Sequence, residues 1–278
     1  MPELPEVETI KNAIQKALKS AIIEEVVVKN NRLRKPVTHD FSERVNGCKI
    51  ISYNRIAKYI VINLDNDMSI VVHLGMSGKI KLSDTLAPEE KHDHIVFKTS
   101  EGYMIYNDPR RFGLCLLLET KNLLSSSIFN KIGIDPFEKM LNGAYLFDKI
   151  KNKSSAIKQV LLDQSIICGI GNIYASEALF LAKILPTRKA CDLSLEECST
   201  LVEMIRKTLD QAIKAGGSTL RDYKKPDGSL GYFQNLHCVY NKTGHPCPNC
   251  SCNLKSTGGI QKIVQGGRST FFCSTKQR

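Results

Sequence analysis

The sequence predicts an α+β fold, in which an antiparallel β-sandwich with one leading helix precedes a helical region and a small cysteine-bearing hairpin. Three observations support this prediction. Apolar residues recur at helical spacing near the start, five segments between residues 21 and 119 alternate with period two, and the helical period returns after residue 131. With 278 residues, the chain is expected to form domains at 1–130 and 131–235, followed by the cysteine-bearing part at 236–278.

The leading helix is indicated by Pro5, because a fixed φ and a missing N–H suit the first helical turn. Glu6 and Glu8 follow where the helix dipole favours negative charge. Pro2 and Glu3 precede this helix, so helix chemistry does not explain them. The buried face is expected to consist of the residues at helical spacing, which are Val7, Ile10, Ile14, Ala17 and Leu18.

The β region is predicted from the segments AIIEEVVVKN, CKIISYNRIAKYIVINL, MSIVVHLGMSGKIKL, HIVFKTSEGYMIYN and RRFGLCLLLE. Since no helical pattern separates them, we expect antiparallel pairing. Two of its turns, HLGMSG and NDPRRFG, carry Met76 and Phe112, with Arg110 beside the phenylalanine. Exposed apolar wedges next to arginines are typical of proteins that distort DNA, although a methionine at a strand end is also a common core residue.

The helical region is predicted from YLFDKIKNK, SAIKQVLLD, NIYASEALFLAK and SLEECSTLVEMIRKTLDQAIKAG. A turn with Gly169 and Gly171 joins the second and third of these helices, and Asn172 is expected to cap the third. Unsatisfied N–H groups at such a helix start suit a phosphate, and an ordinary helical hairpin is the alternative.

Charge and cysteine content limit the function classes. Lys and Arg exceed Asp and Glu by 39 to 28, the formal charge is +11 and the pI is near 9.1, which favours a polyanionic partner such as nucleic acid. With no apolar run of membrane-spanning length and no signal-peptide pattern, we expect a soluble, cytoplasmic protein. Ten cysteines in a chain of this length do not indicate a disulfide scaffold, and the isolated ones are expected to be buried thiols: Cys48, Cys115, Cys168, Cys191 and Cys198.

The C-terminal segment carries a candidate metal site. Cys247 and Cys250 form a C-x-x-C pair, which indicates zinc, with Cys273 as a third ligand. Lys276 stands where a second pair would be completed, and lysine does not supply a zinc ligand. The fourth position therefore falls to Cys252 or His245 in this interpretation, and a metal-free hairpin of the same shape is the alternative. Within the segment, the turn GGR leaves Arg268 free to approach a backbone phosphate.

Together these motifs resemble the bacterial formamidopyrimidine-DNA glycosylase family over essentially the whole chain. The resemblance rests on MPELPEVET, RIAKYI, HLGMSG, KHDH, NDPRRFG, GIGNIYASEALF and GGRST. It implies a helix–two-turns–helix domain, a terminal zinc-finger-like hairpin and a monomer that acts on double-stranded DNA. The implied activity is a bifunctional one, in which oxidised purines such as 8-oxoguanine are removed and the abasic strand is then cleaved.

The resemblance also implies roles for individual residues. Removal of Met1 would expose Pro2 as a secondary amine that attacks the sugar C1′ and forms an iminium. Glu3 would act as acid–base group, Lys58 in proton transfer during β-elimination, and Arg268 in phosphate binding and δ-elimination. The implied DNA contacts are His92, Arg110, Lys153 and Asn172, with Met76, Arg110 and Phe112 filling the gap left by a flipped base.

Two other functions fit the same motifs. One is removal of oxidised pyrimidines, as in the related endonuclease VIII, whose opening differs from PELPEVE. The other is a non-catalytic module that recognises damaged DNA, which would be favoured if Pro2 stayed blocked by Met1. The family pattern ends in two C-x-x-C pairs, and this sequence departs from it at Lys276 and in a longer spacing between Cys250 and Cys273. These departures affect the expectation of a bound metal more than the expected fold.

Overall fold

The computed structural model describes residues 1–219, 225–226, 228–248, 250 and 254–278. The chain divides into two compact units. The N-terminal unit comprises Met1–Asn130 and Ile213–Gln234, and the C-terminal unit comprises Lys131–Ala212 and Asn235–Arg278.

Two antiparallel four-stranded sheets build the N-terminal unit. The described elements are α1 (Leu4–Leu18), β1 (Ile23–Val28), α2 (Phe41–Val45), β2 (Ile50–Ile56), β3 (Tyr59–Leu64), β4 (Met68–His73), β5 (Lys79–Ser83), β6 (Asp93–Thr99), β7 (Gly102–Asn107), β8 (Leu114–Glu119) and a 3₁₀ turn at Thr120–Asn122. The strand orders of the two sheets are β1-β6-β7-β5 and β2-β3-β4-β8. The sandwich expected from the period-two segments is therefore confirmed.

One core joins both sheets and helix α1. Alternate strand residues enter it, such as Ile60 and Ile62 of β3 and Ile95 and Phe97 of β6, as the two-residue period of a strand requires. Helix α1 contributes Val7, Ile10, Ile14 and Leu18. Because a buried aliphatic side chain stabilises by about 1.5–3 kcal/mol, this face holds α1 on the sheets. Ala17 is exposed, so its predicted place on the buried face was wrong, since that face is narrower than expected.

The C-terminal unit is mainly helical. Helix α5 is buried nearly all round, which marks it as the centre of the unit. It begins at Asn172 with Gly171 at the cap position, so the prediction that Asn172 caps the helix was wrong. The described elements are α3 (Gly143–Ile150), α4 (Ile157–Leu161), α5 (Asn172–Leu181), a 3₁₀ turn at Ala190–Asp192, α6 (Leu195–Lys214), whose last two residues belong to the N-terminal unit, α7 (Leu254–Thr257), β9 (Gln261–Gln265) and β10 (Arg268–Phe272).

Strands β9 and β10 form a hairpin whose turn is Gly266–Gly267, both with positive φ. Phe271 of β10 packs in one apolar cluster with Phe180, Val239, Ile260 and two of the C-terminal cysteines. The expected α+β class, with a helical domain ending in a cysteine-bearing hairpin, is thus confirmed. A further 3₁₀ turn at Phe233–Leu236 has its first two residues in the N-terminal unit and its last two in the C-terminal unit.

The isolated cysteines behave mostly as expected. Cys48, Cys115, Cys168 and Cys198 are buried and Cys191 is half-buried, and none of the five is in a disulfide. Among the described helices, none has the length and apolar character needed to cross a membrane.

Candidate active site and nucleic-acid interface

The segment before helix α1 is held by a buried carboxylate. Pro2 is buried, and Glu3 occupies the cap position of α1. Glu6 Oε2 accepts the backbone N–H of Glu3 at 2.8 Å, which is one half of a capping box. Glu6 Oε1 accepts the N–H of Ser218 at 2.7 Å, although 212 residues separate the two. Sequence reasoning assigned Glu6 only a favourable interaction with the helix dipole. The Glu3-x-x-Glu6 spacing could have indicated the capping box.

The turn that carries Lys58 is tied to the same helix. Ala57 and Lys58 connect β2 to β3, Ala57 has a φ of 52°, and Lys58 is buried. Arg55 donates from Nε to Glu8 Oε2 at 2.8 Å and from Nη1 to the carbonyl of Ala57 at 3.1 Å. A single guanidinium therefore links α1 to the residue preceding Lys58.

The electrostatics of Glu8 fit this arrangement. Burial alone would raise the pKa of Glu8, but hydrogen bonds and charges from Lys11 and Arg55 outweigh burial and hold the pKa below its usual value. Glu8 therefore stays ionised at neutral pH and keeps its contact with Arg55.

His73 supports the turn that carries Met76. Its Nδ1 accepts the N–H of Gly75 at 3.0 Å, and its ring centroid lies 4.6 Å from that of Tyr59. Burial, followed by the charges of Arg34 and Lys58, lowers the pKa of His73 to about 4, while Asp108 opposes this. A neutral ring keeps Nδ1 available as an acceptor.

The two turns predicted to carry wedges lie against each other. Met76 is 41% exposed and Phe112 is 48% exposed. The Arg110 guanidinium lies 4.7 Å from the centroid of the Phe112 ring. Gly75 has a φ of +60°, and a Cβ there would come within 2.5 Å of the Phe112 carbonyl carbon, so only glycine allows this approach. The structure thus brings Met76, Arg110 and Phe112 together on one surface of the N-terminal unit.

His92 belongs to the same unit and directly precedes β6. It is half-buried, its carbonyl accepts the N–H of Asp108 at 3.1 Å, and its ring centroid lies 6.4 Å from that of His94. This backbone hydrogen bond connects His92 to the turn that carries Arg110.

In the C-terminal unit, a buried lysine joins Asn172 to the β9–β10 hairpin. Lys158 is 1% exposed, and its Nζ donates to Asn172 Oδ1 at 2.6 Å and to Thr270 Oγ1 at 2.7 Å. Asn172 Nδ2 donates to the carbonyl of Ser269 at 2.8 Å. Ser269 follows Arg268, which is exposed at the start of β10. Sequence reasoning missed Lys158, because one lysine within a short helix reads as a surface residue.

Lys153 lies in the same unit, after α3. It is half-buried, and its carbonyl accepts the N–H of Cys191 at 3.0 Å. Its position is thereby fixed by the segment that precedes α6.

Glu177 holds the chain that leads to the cysteine cluster. Its carboxylate accepts the backbone N–H groups of Cys238, Val239 and Tyr240 at 2.6, 3.0 and 2.7 Å. Burial raises the pKa of Glu177 in spite of these three donors and the charge of Lys242. Three consecutive donors on one buried carboxylate fix the backbone of this segment without a metal.

Three C-terminal cysteines form a group that could hold a metal ion. The sulfurs of Cys247, Cys250 and Cys273 all lie within 4.8 Å of one another, and no other such group occurs among the described residues. His245 is exposed and contributes no atom to the group, while Cys252 lies outside the described residues. The Nζ of Lys276 donates to the carbonyl of Pro248 at 3.2 Å and lies 4.4 Å from the centroid of the Phe180 ring.

Two family models match the chain. The formamidopyrimidine-DNA glycosylase N-terminal domain matches residues 1–115, and the formamidopyrimidine-DNA glycosylase H2TH domain matches residues 132–224. Among curated proteins, the formamidopyrimidine-DNA glycosylase of Wolbachia sp. subsp. Brugia malayi (strain TRS) is 45% identical, and that of Rhodospirillum rubrum is 41% identical. Both alignments cover 100% of each chain.

Solved structures with the same fold contain DNA. The Lactococcus lactis Fpg protein in complex with DNA that contains an abasic site has a TM-score of 0.89 and 35% identity, with 99% of each chain covered. A variant of that protein in complex with Fapy-dG-containing DNA has a TM-score of 0.90 and 34% identity, with 100% of each chain covered. A third structure holds the wild-type protein with DNA that contains an oxidised pyrimidine, at a TM-score of 0.89 and 34% identity.

Proposed function

The chain belongs to the formamidopyrimidine-DNA glycosylase family, and we propose that Pro2, exposed by removal of Met1, is the nucleophile of its chemistry. As a member of this family it is a base-excision repair enzyme, a DNA glycosylase with abasic-site lyase activity that acts on oxidised purines in double-stranded DNA.

The reaction begins at the secondary amine of Pro2. An α-amine has a pKa of about 8, so a useful fraction is unprotonated near neutral pH. The amine attacks C1′ of the lesion, and the base leaves with the electron pair of the C1′–base bond and takes up the proton that the amine releases. Opening of the sugar ring then leaves an iminium between Pro2 and C1′. Glu3 protonates the ring oxygen as the ring opens. The start of α1 disfavours positive charge on the Pro2 amine, whereas the neighbouring Glu3 and Glu6 carboxylates favour it.

Strand cleavage follows from the same intermediate. Lys58 takes part in the proton transfer that drives β-elimination of the 3′ phosphate, and it contacts a phosphate. Arg268 binds phosphate and assists δ-elimination. The contact of Arg55 with Glu8 and with the Ala57 carbonyl supports a fixed position for the Lys58 turn.

DNA distortion is assigned to the paired turns of the N-terminal unit. Flipping a base costs a few kcal/mol of unstacking, and a side chain that fills the gap offsets part of that cost. The exposure of Met76 and Phe112, with Arg110 stacked on Phe112, supports this role. The remaining proposed contacts with the DNA are His92, Lys153 and Asn172.

The cysteine cluster is proposed to hold zinc through Cys247, Cys250 and Cys273. Three sulfurs so close to one another fit a thiolate site, since thiolates are the usual ligands of structural zinc. When bound, the metal would cross-link the C-x-x-C segment to the end of β10 and so stabilise the hairpin that carries Arg268. The fourth ligand is proposed to be Cys252.

We further propose functional domains at 1–130, 131–235 and 236–278, action as a monomer, and a cytoplasmic, nucleoid-associated location. The location follows from the DNA partner and from the bacterial origin of the relatives. The end of the first family-model match at residue 115 and the start of the second at residue 132 support the first boundary.

One observation carries the nucleophile assignment. Pro2 is buried, and the backbone next to it is held in place because the Glu6 carboxylate accepts the N–H of Glu3 at 2.8 Å. The experiment is borohydride trapping on a duplex with 8-oxoguanine opposite cytosine, followed by peptide mapping. Wild type, Pro2→Gly and the exposed-site control Pro88→Gly are compared, after intact mass confirms loss of Met1.

We expect a covalent adduct on Pro2 in wild type and in Pro88→Gly, and a much smaller yield of adduct in Pro2→Gly, whose N-terminal glycine is a primary amine. An adduct on another residue would reject the Pro2 assignment. Binding of the duplex with no adduct and no cleavage would instead favour a non-catalytic damage-binding protein. A parallel duplex with thymine glycol tests the pyrimidine alternative, and faster excision there than on 8-oxoguanine would overturn the purine preference.

A further inference from the structure

We propose that Asp108 is a positioning residue that locks the two wedge-bearing turns into the shape needed to flip a base. The proposal rests on the proposed wedge role of Met76, Arg110 and Phe112. Asp108 is fully buried and does not itself reach the surface on which these side chains lie.

The Asp108 carboxylate contacts both turns. Its Oδ1 accepts the hydroxyl of Ser77 at 2.7 Å and the backbone N–H of Arg110 at 3.2 Å. Its Oδ2 accepts the backbone N–H of Gly113 at 2.9 Å and the hydroxyl of Tyr106 at 3.3 Å. Ser77 follows Met76, and Arg110 and Gly113 enclose Phe112, so one carboxylate holds the residues next to all three wedge side chains.

Further contacts make the arrangement rigid. The N–H of Arg110 also lies 3.2 Å from Ser77 Oγ, which joins the two turns directly. His94 Nε2 lies 2.7 Å from the carbonyl oxygen of Asp108. A Cβ at Gly113 would lie 2.4 Å from the carbonyl oxygen of His73, so the backbones leave no room to slide.

The chemistry of the carboxylate explains why this position needs an acid. A buried carboxylate is unfavourable unless hydrogen bonds compensate for lost hydration, and here the donors come from two separate turns. If either turn moves away, the carboxylate loses donors, so the turns are ordered before DNA binds. Preorganisation of this kind removes an ordering cost from the binding step.

The experiment that tests this proposal separates base flipping from the chemical steps of the reaction. Single-turnover base excision is measured on a duplex with 8-oxoguanine opposite cytosine, and strand cleavage on the same duplex with a preformed abasic site, where no base has to be extruded. The variants are Asp108→Asn, which keeps the size but offers one acceptor oxygen in place of two, Ser77→Ala, and the exposed control Asp84→Asn.

For Asp108→Asn we expect excision to fall by about tenfold, the factor that corresponds to about 1.4 kcal/mol, with cleavage at the abasic site changed by less than about threefold. Ser77→Ala should also slow excision more than abasic-site cleavage, but by a smaller factor. Asp84→Asn should match wild type in both reactions. A lesion placed opposite a missing base, which is cheaper to extrude, should reduce the excision defect.

The proposal is overturned if Asp108→Asn slows both reactions equally and Ser77→Ala shows no selective loss, since that pattern is general destabilisation. It is also overturned if Asp108→Asn leaves excision unchanged. Failure of the proposed function would look different, because wild type itself would then form no adduct on Pro2.

Discussion

Replacing Glu6 by glutamine should slow base excision and abasic-site cleavage together. The Glu6 carboxylate holds the N–H of Glu3 at 2.8 Å and the N–H of Ser218 at 2.7 Å, and it is 1% exposed. Glu3 follows the proposed nucleophile Pro2 directly. A disturbance at this carboxylate therefore displaces the amine that both reactions require.

The size of the effect follows from the two hydrogen bonds. Glutamine keeps one acceptor oxygen, and its NH₂ group would face the second N–H without forming a bond. A hydrogen bond to a charged group is worth about 1.5–3 kcal/mol, so the loss of one is about 2 kcal/mol. If this whole amount appears in the activation barrier, the rate falls by about 30-fold.

The assay uses the two single-turnover reactions described for Asp108, with Glu43→Gln as the control. Glu43 is an exposed glutamate in the first turn of α2, so it matches Glu6 in helix position but not in burial. A fall confined to excision would refute the reasoning, because a displaced amine must also slow cleavage at an abasic site. Unchanged rates in both reactions would refute it as well.

Two further predictions concern pH and metal. The pKa of His73 is about 4 in the folded chain and about 6.5 in the unfolded chain, so the unfolded state binds the proton first as pH falls. Between about pH 7.5 and about pH 5, the free energy of unfolding of wild type should therefore fall by about 2 kcal/mol more than that of His73→Gln. Denaturant unfolding at both pH values measures this, and equal losses contradict it. Cys252→Ala should remove the proposed fourth thiolate and speed zinc release to a chelator by at least about tenfold relative to wild type and to Cys191→Ala, a cysteine outside the cluster. Release measured with a zinc-binding dye tests this, and metal below about one-tenth of an equivalent in wild type would reject zinc altogether.

The parts of the fold that the sequence predicted well are those set by local periodicity. Alternating residues such as Ile60 and Ile62 enter the core of the sandwich, as the two-residue period predicted. Helical spacing correctly predicted the residues on the buried face of α1, with the exception of Ala17. Nearby glycines predicted the turns that carry Met76 and Phe112, and both side chains are exposed, so the core position weighed as an alternative for Met76 was wrong. In each case the signal lies within a few residues of the feature that it predicts.

The metal site was predictable only in part. The C-x-x-C spacing indicated Cys247 and Cys250, and Cys273 joins them in space. The two candidates for a fourth ligand could not be ranked from spacing, and the structure leaves His245 outside the group. Lys276 lies over the Phe180 ring and donates a hydrogen bond to the Pro248 carbonyl. This environment could not be predicted locally, because Phe180 belongs to a helix almost a hundred residues earlier in the chain.

Three of the residues that sequence reasoning missed share one physical property. Glu6, Asp108 and Glu177 are buried carboxylates, and each accepts backbone N–H groups that lie far from it or in a turn. Every residue except proline carries such a donor, so the partner leaves no trace in its own side chain. Nothing in the identity of Ser218, for example, indicates a contact with Glu6. Buried charge that fixes loop backbones is therefore specified by the tertiary fold, and it becomes visible only once the sheets and helices have brought distant turns together.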